Sequence, residues 1–106
     1  MRYTYAMTQK SLILSSQSQS APPDELSDIG QALWWLKKGD FKLGDAWENA
    51  HEICQSAEGT KSYDYVHALA HWIEGDMGNA AYWYRRVGET QHADIPTEWD
   101  HLADTL

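Results

Sequence analysis

The chain has 106 residues, enough for one domain with a modest hydrophobic core. Its formal net charge is −8, from sixteen acidic and eight scattered basic residues, which argues against nucleic acid and anionic membranes as partners, since both select a basic footprint. Cys54 is the single cysteine, so no disulfide framework is expected, and no apolar run approaches the roughly 20 residues that span a bilayer; the expected location is the cytoplasm.

Residues 1–23 read as a flexible leader. Ser15 to Ser20 is a Ser/Gln run followed by Pro22-Pro23, a composition that buries little surface. Met7 is a second candidate start. Residues 24–106 read as a single helical domain. Its first helix is predicted from Pro23 or Asp24 to Lys38, with Leu26, Ile29, Leu33 and Leu36 as the apolar stripe and Trp34 and Trp35 widening it. Acids at its start and Lys37-Lys38 at its end suit the helix dipole, and Gly39 ends it.

Asp45 with Glu48 resembles a capping box, opening a second helix that runs to about Ala57. Trp47, Ala50, Ile53, Cys54 and Ala57 form its apolar face. Cys54 reads as a small buried hydrophobe.

Residues 64–88 read as helix, tight turn, helix. Val66, Leu69, Ala70 and Ile73 share one side of the first helix, while Asp64, His67, His71 and Glu74 fall on the other. Gly75 takes the left-handed conformation that ends a helix, and Asp76 caps the next. In that helix Met77, Ala80, Tyr84 and Val87 share a face, and Gly88 is the stop. Pro96 suits the first turn of a last helix whose stripe is Ile95, Trp99, Leu102, Ala103 and Leu106.

Gly75, Asp76, Ala80 and Tyr84, with Ala68 upstream, resemble the centre of a tetratricopeptide repeat. Gly39-Asp40 and Gly44-Asp45 echo Gly75-Asp76 at offsets that bracket the repeat period of about 34 residues. The resemblance implies an all-α fold of about five helices: two stacked antiparallel hairpins plus a C-terminal capping helix. In that register His67 and His71 face the paired helix, whereas the helical period puts them on the polar side. Either they are buried and hydrogen-bonded, or the packing departs from the repeat.

Over roughly residues 31–106 the chain also resembles a family of short, uncharacterised, mostly bacterial proteins. The matching segments are Gly44-Asp45-Ala46-Trp47, Ala50-His51-Glu52, His67-Ala68, His71, Glu74-Gly75-Asp76, Asn79 to Arg86, Gly88 and Glu98-Trp99. An extra residue sits between Asp45 and Trp47. The family brings no established activity, so the resemblance bears on fold and leaves function open.

Two groups of residues carry chemistry. His67 and His71 are i, i+4 on one helix face, the spacing with which two imidazoles bind one metal; Glu74 lies a turn further on, and His51 approaches them if the preceding helix packs antiparallel. Glu48-x-x-His51 is half of a di-iron pattern whose second half is absent. The plainer reading makes these histidines interface residues hydrogen-bonded to Asp, Glu or Tyr. The second group is Tyr82, Trp83 and Arg85, rings beside a guanidinium that suit an anionic or planar ligand. Its plainer reading pairs Arg85 with Asp76 or Glu74 and leaves Arg86 exposed. No Gly-x-Ser-x-Gly elbow or phosphate-cradling loop supports an enzyme.

The leading functional expectation is a small helical interaction module that binds a peptide, a protein or a second copy of itself, with no cofactor. The alternative is a protein that binds a divalent metal or small ligand, enzymes included, through His51, His67, His71 and Glu74.

Overall fold

The structure is a computed structural model and describes residues 8–106. Among these residues it contains six helices and no strand: α1 Gln9–Ser15, α2 Asp28–Lys38, α3 Asp45–Gln55, α4 Lys61–Ile73, α5 Met77–Val87 and α6 Ile95–Thr105. Everything else is arranged around α4, which packs against α2, α3, α5 and α6. With neighbours on all sides, α4 is buried without interruption from Asp64 to His71. This overturns the polar stripe expected there, because a helix surrounded by four others has no solvent face to give it. Asp64 is accommodated by a local bond: both carboxylate oxygens accept from the Gly59 N–H (3.1 Å each), closing the α3–α4 connection.

Helices α3 and α4, and α4 and α5, pack as antiparallel pairs. Trp47 Nε1–H donates to the Ala70 carbonyl (2.8 Å), and His51 meets His67 four residues further along α3 and three residues back along α4. On the other side His67 stacks on Trp83, and Tyr65 meets Tyr84. The α4–α5 turn follows its sequence signal. Gly75 adopts φ 84°, a left-handed geometry that strains a residue with a Cβ, and Asp76 accepts from the Asn79 N–H (3.1 Å). Met77, expected on the buried face of α5, is exposed along with Gly78 and Asn79, and burial on α5 begins at Ala80.

The α2–α3 connection is built differently, so the Gly-Asp echo is not repeated in the backbone. Gly39 has φ −81°, and the left-handed positions fall on Asp40 and Phe41. Phe41 is held there by its ring against Trp99 (6.0 Å), with the Lys37 ammonium over both rings. Gly39 serves close approach instead: a Cβ on it would lie 3.0 Å from Ala46 Cβ. The expected capping box does not form either. Gly44 is the N-cap, without a side-chain bond, and Asp45 is already helical.

The sixth helix, α1, lies in the stretch expected to be a loose leader; Met7 and the residues before it lie outside the described residues. Thr8 caps α1 through the Ser11 N–H (3.0 Å), and Ile13 is fully buried. Composition misled here because the polar side chains are structural. Ser16 Oγ accepts from Trp34 Nε1–H (2.9 Å), and Gln9 Oε1 accepts from both Ser27 N–H (2.8 Å) and Ser27 Oγ–H (2.7 Å). The first expected helix correspondingly starts at Asp28, with Ser27 as its cap. Helix α6, with Pro96 in its first turn, packs on α1, α2 and α4 and ties to α2 through Trp99 Nε1–H to the Leu33 carbonyl (2.9 Å).

Candidate metal centre

Antiparallel packing of α3 on α4 brings His51 to the pair formed by His67 and His71. One ring nitrogen from each of the three lies within 4.8 Å of the others. The Nε2 atoms of His51 and His67 are 3.0 Å apart. That is close to the roughly 3.3 Å separating two imidazole nitrogens on one tetrahedral ion. Behind His71, its Nδ1–H donates to the Glu74 carboxylate. A carboxylate in that position orients a ligand histidine and strengthens its free nitrogen as a donor.

Aromatic rings hold the cluster. His51 stacks on Trp47 (4.7 Å, 11° between planes), His67 stacks on Trp83 (4.4 Å, 27°), and His67 also stacks on His71 (4.7 Å). His67 and His71 are buried and His51 is half-buried. One polar atom is left over: His67 Nδ1 is buried and has no hydrogen-bond partner, the one such side-chain atom among the described residues.

Burial and neighbouring imidazoles keep the rings in the form that metals bind. His67 is lowered to about 4, first by burial and then by His71 and His51. His51 is lowered as well, by burial and then by His71, with Glu74, Glu48 and Glu58 acting in the opposite direction. Near neutral pH both rings are uncharged, so no proton need leave them before a cation arrives, and those three acids supply a field that attracts it.

Tyr82, Trp83 and Arg85 are placed otherwise. Trp83 is buried, with its ring committed to His67, while Tyr82 and Arg85 are exposed. Arg86 is the cation over the aromatic pair, 5.3 Å from the Trp83 ring, with Nη1–H donating to Tyr82 Oη (2.9 Å). The i, i+4 spacing of Tyr82 and Arg86 is the signal that selects it over Arg85. Glu74, one expected partner of Arg85, is taken by His71.

A second polar cluster had no motif to announce it. Glu98 on α6 is fully buried, and both of its oxygens are engaged. Oε2 accepts from Tyr84 Oη–H (2.7 Å) and the His92 N–H (3.2 Å), and Oε1 accepts from His92 Nδ1–H (2.8 Å). His101 lies against the His92 ring (4.5 Å). Set against protein-family models, curated proteins and solved structures, the chain matches none.

Proposed function

We propose that this protein binds one transition-metal ion through His51, His67 and His71, with Glu74 orienting His71. The observation that carries the reading is the convergence of three ring nitrogens within 4.8 Å of one another in a mostly buried place. Had the histidines been interface residues alone, the surrounding protein would be expected to satisfy them. His71 is satisfied by Glu74, but His51 and His67 share a single contact with each other and His67 Nδ1 has none.

An interaction module draws less support. Large rings on an open surface would favour it, and here they are spent on the core: Trp34, Trp47, Trp83 and Trp99 are buried and Trp35 and Trp72 partly so. Among the described residues the exposed large apolar side chains, Leu14, Leu43, Met77 and Tyr82, are spread over α1, the α2–α3 connection and α5.

The test is metal analysis after dialysis against zinc and, separately, copper, followed by gel filtration. One ion per chain is expected for the native sequence, lost in His51→Ala and His71→Ala variants whose circular dichroism stays helical. Absence of stoichiometric metal under both conditions, or its retention in both variants, overturns the reading.

A further inference from the structure

The surroundings of the three histidines narrow the choice of ion. We propose that the site takes monovalent copper in preference to zinc, an inference that rests on the reading of His51, His67 and His71 as one metal site.

Charge is the first argument. The three donors are imidazoles and contribute no negative charge, and His67 and His71 are only 2% and 7% exposed. An ion placed among them gives up most of its hydration. Glu74 is the one carboxylate hydrogen-bonded to a donor of the site, and its single charge matches a monovalent ion, whereas a divalent ion would draw also on Asp76, Glu48 and Glu58 further out.

Coordination number is the second. Zinc completes four positions, and three of the four carboxylate oxygens of Glu74 and Asp76 that it could recruit are already engaged. Glu74 accepts from His71 Nδ1–H. Asp76, the third member of a cluster with His71 and Glu74, caps α5: its Oδ1 accepts from the Asn79 N–H and its Oδ2 from Asn79 Nδ2–H. Pulling Asp76, or the Glu74 oxygen bonded to His71, onto an ion breaks an existing bond. The indoles of Trp47 and Trp83 cover faces of the His51 and His67 rings and keep water from that side. Copper(I) shares zinc's filled d shell but, unlike zinc, is content with three imidazoles and no fourth ligand.

Cys54 is the competing soft ligand, and it is unsuited. It is fully buried, and burial with Asp64 nearby pushes its thiol up to about 12, so thiolate is scarce.

The experiment is competition on the whole protein under anaerobic conditions with ascorbate. A chromophoric copper(I) chelator reports copper(I), and a chelating dye reports zinc. Copper(I) is expected to bind at one per chain and at least about tenfold more tightly than zinc, and to remain bound when a molar excess of zinc is added. Binding should survive Cys54→Ala and be lost in His51→Ala and His71→Ala. Zinc displacing copper(I), or zinc bound where copper(I) is not, overturns the metal choice while leaving the three-histidine site standing. Neither metal bound overturns both. Copper(I) bound equally well by the histidine variants and lost in Cys54→Ala also overturns it, by placing the ion elsewhere.

Discussion

Glu98 and His67 are both polar side chains with almost no exposure, 0% and 2%. Their surroundings treat them in opposite ways. Around Glu98 each oxygen has a donor, supplied by Tyr84 and by the main chain and ring of His92. Around His67 one nitrogen faces another histidine, and the other faces nothing. A complete network is what a fold needs in order to bury a carboxyl group, and removing Glu98 leaves the buried Tyr84 hydroxyl without its acceptor. An incomplete one contributes little to the fold, which suits a set of donors kept for something that arrives later.

The sharpest way to break this contrast is Glu98→Leu. It strands the buried Tyr84 hydroxyl and unties the exposed His92 from α6, and urea denaturation is expected to show a loss of about 3 kcal/mol. Glu98→Gln keeps the shape and one acceptor and should lose about half as much. A loss under about 0.5 kcal/mol in Glu98→Leu would mean the network is not holding α5, α6 and the loop between them.

Acid probes the other cluster. In the fold His67 stays neutral down to about 4, whereas its ordinary value is 6.5. Between those limits the unfolded chain binds more protons than the fold, so stability falls as pH is lowered through the window. Denaturation curves at pH 7 and pH 4 are expected to differ by about 3 kcal/mol from this residue. In His67→Leu that share of the slope should vanish, and an unchanged slope would place the acid sensitivity elsewhere.

The same His67→Leu change at pH 7 carries the smallest energetic expectation. It removes the orphaned nitrogen and the contacts with the His51 and His71 rings and keeps an apolar body against Trp83. Metal-free stability should therefore move by less than about 1 kcal/mol in either direction while metal uptake is lost. A cost as large as that of Glu98→Leu would show the histidines to be a structural network after all. Cys54 offers a kinetic control: with its thiol buried, labelling by a thiol reagent at pH 8 should wait for unfolding, and immediate labelling of folded protein would contradict the packing of α3 on α4.

Much of the helical order was legible because local chemistry and burial agree over α4 to α6. Gly75, Asp76, Gly88 and Pro96 mark ends that the structure keeps. The three histidines could be grouped for the same reason: i, i+4 spacing fixes two on one face, and an antiparallel neighbour delivers the third. The illegible parts depend on partners distant in sequence. Helix α1 is written in serine and glutamine, and its order comes from Trp34 and Ser27, which the local composition does not reveal. Glu98 sits in the first turn of α6, where an acid is expected for the dipole alone, and its burial is decided by Tyr84 and His92. Asp64 looked like a solvent-facing residue because one helix's period cannot report that four others surround it.

The most direct test is a long-range proton–nitrogen correlation spectrum of the histidine rings, recorded metal-free and after one equivalent of zinc or copper(I), both diamagnetic. The ring nitrogens of His51, His67 and His71 are expected to move on addition of metal, while those of His92 and His101 stay in place. Movement confined to His92 and His101, or no movement in any ring, would contradict the account.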